Sequence, residues 1–123
     1  MLRRPVTVLV LHNADDQALI TGYRRQPVIP VLRFQEPPAA RTNDIDLAEH
    51  AFALCNIGDD PEHGAPDPRA TDYRRRGNRS LSIGDVVIVD GRAYACQPRG
   101  WLRIPKPAQT LVRRHGSTPL DLG

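Results

Sequence analysis

The chain offers few side chains that could bind a metal. His50, Cys55 and His63 are the nearest mixed set of ligands, and their spacing matches none of the familiar zinc patterns. On one helix, His50 and Cys55 would point about 140° apart, because each residue turns the helix by about 100°. His12 and His115 are isolated in the sequence, which is typical of packed or exposed histidines. We expect no metal site and no cofactor.

Nucleophilic chemistry is equally poorly supported. Ser80 and Ser82 lack the glycine-flanked elbow of a hydrolase nucleophile, and turn hydrogen bonds explain their hydroxyls. Cys96 lies in a predicted strand beside Tyr94, and Cys55 lies on a predicted helix, so both are interpreted as small buried hydrophobic residues. The sequence therefore predicts a protein that is not an enzyme and has no small-molecule substrate.

The carboxylates also have simple structural explanations. Residues 58–68 form a proline-rich loop with four acidic residues, which are Asp59, Asp60, Glu62 and Asp67. That loop lacks the alternating spacing and the terminal glutamate of an EF-hand calcium site. Asp85 and Asp90 each have a place in a predicted turn. No pair of carboxylates is indicated for acid–base catalysis.

A basic segment at residues 69–79 is the main candidate for binding. Its candidate contact residues are Arg69, Tyr73, Arg74, Arg75, Arg76 and Arg79. Guanidinium groups bind phosphates and stack on bases, and a pI near 9.3 agrees with attraction to a polyanion. The formal charge is only +3, however, and the acidic loop beside the segment could neutralise it. The alternatives are thus a binding surface and an ordinary solvated turn.

Three strands are predicted in the C-terminal half of the chain. Residues 86–89 are a run of β-branched side chains, and the Asp90-Gly91 pair that follows favours a type I′ hairpin turn. The return strand covers residues 92–96, and a second turn leads to a third strand at 101–104. Trp101 begins that strand, as a core aromatic or, if it is exposed, as the anchor of an interface.

The N-terminal half predicts the remaining elements. Residues 6–11 read as a central strand, and residues 28–34 as a strand whose Pro30 belongs at an edge or a bulge. A short helix is expected between these strands. The main helix covers residues 45–56, capped by Asn43 or Asp46, with Gly58 in the left-handed conformation after its end. These elements predict an α+β domain, with a mostly antiparallel sheet and one main helix packed on it.

Domain organisation and location follow from length and hydropathy. Residues 1–104 are predicted to form one domain, and residues 105–123 a loosely ordered basic tail. No apolar run approaches the roughly 20 residues that span a membrane, and residues 6–11 are too short for the core of a signal peptide. We therefore expect a cytoplasmic protein without a membrane partner.

Residues 80–87, Ser-Leu-Ser-Ile-Gly-Asp-Val-Val, together with Tyr94 and Gly100-Trp101, resemble the YodL-like domain. The helix end Ala-Leu-Cys-Asn-Ile at 53–57 extends the likeness, which covers about residues 47–104. The arginine-rich expansion before the motif and the tryptophan at position 101 depart from the family pattern. The resemblance implies an accessory protein of plasmids, integrative elements or phages, here of actinobacterial type, and it implies no catalytic residue.

Together these observations predict a non-enzymatic module that binds a macromolecule. The lack of catalytic signals favours a host protein or an element-encoded protein as the partner, recognised through an exposed sheet edge or the arginine-rich segment. Nucleic-acid binding by residues 69–79 is the alternative, although no helix-turn-helix, zinc-finger or RNA-binding signature accompanies it.

Overall fold

A computed structural model describes residues 4–38 and 43–120 of the chain. It contains one five-stranded antiparallel sheet in the order β2-β1-β3-β4-β5. The strands are β1 (Val6–Asn13), β2 (Val28–Glu36), β3 (Val86–Val89), β4 (Arg92–Cys96) and β5 (Trp101–Ile104). The predicted α+β class is confirmed, and β3, β4 and β5 form the predicted meander.

Helices occupy the connections between β1, β2 and β3. They are α1 (Ala18–Thr21), α2 (Asp44–Ile57) and α3 (Pro68–Arg75), and a 3₁₀ turn covers Pro61–His63. Asn43 caps α2, because its side chain accepts a hydrogen bond from the Asp46 amide at 2.8 Å. The α2 helix buries its apolar stripe against the sheet through Leu47, Ala48, Ala51, Leu54 and Cys55.

The β1 strand lies in the interior of the sheet, between β2 and β3, because its side chains are mostly apolar and can be buried on both faces. Val6, Val8 and Val10 face α2, whereas Leu11 packs on the opposite face of the sheet. β2 lies at one edge, and its Pro30 pairs with Leu11 where the register shifts after Val10. Proline has no amide to donate, so the predicted edge or bulge position is confirmed.

The predictions for the Asp90-Gly91 turn and for the conformation of Gly58 had different outcomes. Asp90 and Gly91 have φ values of 46° and 85°, as a type I′ hairpin between β3 and β4 requires. The prediction for Gly58 was wrong, because its φ of −65° is right-handed. Gly58 is needed there for space, since a Cβ would lie 2.5 Å from the Leu54 carbonyl oxygen and 2.7 Å from the Ala70 Cβ.

The segment after β5 differs from the predicted loosely ordered tail. Residues 105–120 return from β5 to β2, at the opposite edge of the sheet. There the Val28 amide donates to the Ala108 carbonyl at 3.0 Å, and the Thr110 amide donates to the Val28 carbonyl at 2.9 Å. The Leu120 amide donates to the Pro30 carbonyl at 2.8 Å. These bonds satisfy backbone groups on the outer edge of β2, so the segment belongs to the domain.

Among the described residues, every helix is too short or too polar to cross a membrane.

Candidate functional site

The predicted basic segment folds as α3 and the loop that follows it. Asp67 caps the helix by accepting from the Arg69 amide at 2.9 Å, and Pro68 occupies the first turn, where its missing N–H costs nothing. The Arg69 guanidinium binds Asp67 and Glu36 at 2.8 and 3.2 Å. It also lies 4.8 Å above the Phe34 ring. Arg69 therefore joins α3 to β2.

Other arginines of the segment also bind protein groups. Arg74 donates to the Ser80 hydroxyl at 2.6 Å, and Arg76 donates to the Val31 carbonyl at 2.7 Å. Arg75 is different, because its side chain is 77% exposed and reaches only Asp72, at 3.5 Å. Consecutive arginines thus point in different directions, as the 100° step of a helix requires. The segment does not present a row of unoccupied guanidiniums.

Tyr73 lies inside the protein rather than on this basic surface. Its ring is fully buried, and its hydroxyl lies 2.6 Å from His12 Nε2 and donates to the Arg79 carbonyl. A ring in this position cannot stack on a base, so the sequence-based role for Tyr73 at a nucleic-acid surface was wrong. Burial also raises the pKa of its hydroxyl, which keeps the group protonated and able to donate.

His12, which the sequence interpretation left as an ordinary packed or exposed residue, is the centre of a buried polar cluster. Its Nδ1 lies 2.7 Å from the Ser117 hydroxyl. Because Tyr73 donates its one proton to Arg79, His12 Nε2 must donate to Tyr73 and Nδ1 must accept from Ser117. Burial, followed by the Arg79 charge, lowers the pKa of His12 to about 3. The imidazole is therefore neutral at pH 7, with both nitrogens engaged.

Asp85 extends this cluster and is the partner of the Arg79 guanidinium. The Arg79 guanidinium binds both oxygens of Asp85, at 2.7 and 2.9 Å. The carboxylate is only 1% exposed and also accepts from the backbone amides of Asn13 and Ser82 at 2.7 and 2.8 Å. A buried charge needs such partners. Asp85 is thus a junction between three chain segments, which extends its predicted role as a turn residue.

The cysteines are poor nucleophiles and poor metal ligands. Burial raises the pKa of Cys55 to about 12 and that of Cys96 to about 11. Within the described ranges, no group of three or more histidine, cysteine, aspartate or glutamate side chains is arranged to hold a metal. The Ser117–His12 pair is also enclosed, since both residues are almost completely buried. These groups stabilise the fold and offer no access to a substrate.

Trp101 faces α2 at the outer edge of the sheet. Its ring meets Phe52 edge-on, with centroids 6.4 Å apart, and its Nε1 donates to the Glu49 carboxylate at 3.0 Å. The side chain is half-buried. Trp101 therefore packs against the core and still shows part of its surface beside β5, and its role as the anchor of an interface stays a prediction.

Among residues 4–38 and 43–120, no strand lies on the outer edge of β5, so this edge is open there. In the part of the chain that the structure describes, β4 is the one strand that pairs with β5. The Gln97 amide donates to the Gly100 carbonyl at 3.1 Å, so these two residues are a hydrogen-bonded pair of the β4–β5 ladder. The pairs that follow then alternate between bonded and non-bonded. Alternation along an antiparallel ladder then turns the N–H and C=O groups of Trp101 and Arg103 away from β4. These are the groups that an added strand would use.

A groove of about 260 Å³ lies next to this edge, on the face of the sheet opposite α2. Leu102 of β5 forms part of one wall, and Leu19 and Ile20 of α1 form part of the other. All three side chains are more than half exposed, at 51%, 57% and 80%. Large apolar side chains so exposed and so close together are typical of a binding surface.

Comparisons with protein-family models, curated proteins and solved structures find no match to this chain. The resemblance to the YodL-like domain therefore rests on the motif residues themselves.

The structure brings the predicted site residues together only in part. Arg69, Arg74, Arg75 and Arg76 lie on or beside α3, whereas Trp101 belongs to β5. Sequence reasoning missed the groove, because α1 and β5 are about 80 residues apart in the chain. A usable signal was present in Leu19-Ile20, two large apolar residues in a helix too short to bury both.

Proposed function

We propose that this protein is a non-enzymatic binding module whose partner is another protein, and that the partner adds a strand to β5. The observation that carries this proposal is the open edge of β5, with a partly exposed tryptophan on one face and an apolar groove on the other. Backbone pairing supplies affinity in such complexes, and the flanking side-chain sites supply specificity.

The contrast between the two edges of the sheet supports this choice. At β2, the returning C-terminal segment bonds to Val28 and Pro30, and Arg76 bonds to the Val31 carbonyl. Native proteins usually protect sheet edges, because an open edge pairs with other chains. An edge left open beside exposed apolar side chains fits a surface used for binding.

The cellular role that we propose is that of an accessory protein of a plasmid, phage or integrative element, acting in the cytoplasm. This part of the proposal is supported by the resemblance of residues 80–87, Tyr94 and Gly100-Trp101 to the YodL-like domain. Such a role fits a small module that recruits or blocks a host protein. Nucleic acid is the weaker alternative, since Arg69, Arg74, Arg76 and Arg79 bind groups of the protein itself.

Two variants at one position test strand addition. Arg103→Pro removes an outward N–H and blocks pairing, whereas Arg103→Val removes the same charge and keeps the amide and the strand propensity. An edge position tolerates proline, so both variants should fold, which circular dichroism will check. Because both variants lack the charge, the edge amide is what distinguishes them, and we expect far more of a stoichiometric protein partner to co-purify from host cells with Arg103→Val than with Arg103→Pro.

Nuclease treatment separates the two classes of partner in the same experiment. A protein that stays bound after treatment, and that depends on the edge amide, supports the proposal. Equal recovery of the partner with both variants would contradict strand addition. Release of the bound material by nuclease, with short DNA or RNA recovered beforehand, would assign the protein to nucleic-acid binding.

A further inference from the structure

We infer that the partner presents an extended acidic segment, with acidic and apolar residues alternating, and that one apolar side chain fills the groove beside Leu102. This inference rests on the proposed strand addition and adds the chemistry of the partner. Three features carry it, which are the apolar lining of the groove, the basic residues around β5 and the alternation of side chains along a strand.

The groove is built for an apolar group. Most of the side chains that line it are apolar and none is charged, and its walls include Leu19 and Ile20 on one side and Leu102 on the other. Its floor includes Ala95 of β4, the cross-strand neighbour of Leu102. Within the described residues, Ile20 is the most exposed of the large hydrophobic side chains. Covering these side chains with an apolar group removes that surface from water.

Exposed basic residues lie along and beside β5. Arg99 precedes β5, Arg103 lies within it and Lys106 follows it, and all three are exposed. The Arg103 guanidinium lies over the Tyr94 ring, 5.6 Å from the centroid, on the α2 face of the sheet. Cations grouped around an open edge attract an acidic segment and repel a basic one. They also disfavour a second copy of this chain, since pairing two β5 edges would bring two basic flanks together.

The geometry of a strand determines which residues of the partner meet the groove and which meet the basic residues. Successive side chains on a strand point to opposite faces of the sheet. A partner residue beside Leu102 therefore points into the groove, and the residue beside Arg103 points to the α2 face. An apolar residue beside Leu102, followed by an acidic residue beside Arg103, satisfies both positions, because directly opposed side chains of opposite charge stabilise a sheet.

Peptide titrations followed by NMR test the inference on the full-length protein. The probe is a synthetic nine-residue peptide that alternates glutamate with valine and carries one central leucine. Two matched probes replace its glutamates with lysine or its apolar residues with serine. We expect the acidic peptide to shift the amide signals of Trp101 and Arg103 and the methyl signals of Leu19, Ile20 and Leu102. Neither matched probe should shift them at the same concentration.

Variants then locate the bound side chain. Ile20→Asp places a carboxylate at the groove, and we expect it to weaken binding of the acidic peptide about tenfold. Leu111→Asp is the control, because Leu111 is equally apolar, 55% exposed and does not line the groove. Both positions are on the surface, so both variants should fold, and their amide spectra will show this directly.

Several outcomes would overturn the inference. These are equal binding of the lysine peptide, shifts at β5 without movement of the groove methyls, equal weakening by both aspartate variants, or no binding of the acidic probe. The paired Arg103 variants decide the proposed function separately. A partner that needs the edge amide but not Ile20 would retain strand addition and reject the groove.

Discussion

His12 Nε2 lies 2.6 Å from the hydroxyl of Tyr73, and this contact joins β1 to α3 inside the domain. The other imidazole nitrogen lies 2.7 Å from Ser117 in the C-terminal segment. One neutral ring therefore connects three parts of the chain that are far apart in sequence. Its bonding directions leave no place for an added proton, because Nδ1 already accepts from Ser117.

The stability of the domain should decrease as pH falls below about 6.5, because of His12. Its pKa is near 6.5 in an unfolded chain and about 3 in the folded protein. Between these values the unfolded state binds more protons, which favours unfolding. We expect this residue to cost roughly 2 kcal/mol between pH 7 and pH 5. Urea denaturation at both pH values measures the free energy of unfolding.

His12→Gln provides the comparison for this prediction. Glutamine cannot titrate, so the variant should be less stable at pH 7 but should lose less stability between pH 7 and pH 5 than the natural chain does. The difference between the two proteins isolates His12 from the other histidines. Parallel pH profiles would show that His12 becomes protonated in the folded state without penalty.

The arginines of residues 69–79 should differ sharply in their effect on stability. Arg79→Ala leaves the buried Asp85 with backbone donors alone, and we expect a loss of about 2–3 kcal/mol. Removing one partner of a fully buried pair costs roughly 3–5 kcal/mol, and the partial exposure of Arg79 reduces that. Arg75→Ala is the matched control and should change the free energy of unfolding by less than about 0.5 kcal/mol. Similar losses for both variants, measured in urea, would contradict the assigned geometry.

Gly58 should not tolerate even a methyl group. A Cβ there would collide with the Leu54 carbonyl and the Ala70 side chain, both of which are fixed by the packing of α2 against α3. We expect Gly58→Ala to destabilise the protein by about 1–3 kcal/mol, the usual cost of overpacking.

Gly64→Ala is a useful comparison for that variant. Its Cβ would meet nothing within 4 Å, but its φ of 107° is unfavourable for alanine. The loss at Gly64 should be that of backbone strain alone, about 1–3 kcal/mol, because its ψ of −169° places it in a region that essentially only glycine occupies. Thermal unfolding of the two variants compares steric and conformational costs, and an unaffected Gly58→Ala protein would show that the two helices separate easily.

Local patterns were enough to predict most of the sheet. The Asp90-Gly91 turn and the β-branched run before it fix a hairpin through neighbouring residues, and Pro30 restricts its strand through its own missing amide. The α2 helix was predicted because its apolar residues recur every three or four positions, which is about one turn of a helix. Each of these signals depends on residues only a few positions apart.

The candidate site could not be predicted in the same way. The His12–Ser117 bond spans 105 positions, and the groove joins α1 to β5, so neither leaves a local pattern. The arginines of residues 69–79 suggested one basic surface because they are close together in the sequence. The helix separates their directions, and buried or backbone acceptors such as Asp85 and the Val31 carbonyl bind them.

Both cysteines should resist thiol reagents in the folded protein. Burial raises their pKa values to about 12 for Cys55 and about 11 for Cys96, so very little thiolate is present at pH 8. We expect slow modification by a coloured disulfide reagent in buffer and rapid modification of both thiols in urea. Cys96 should react before Cys55, because it is slightly more exposed and its pKa is lower. The single variants Cys55→Ala and Cys96→Ala assign each phase, and rapid labelling of either thiol in buffer would place a reactive cysteine at the surface.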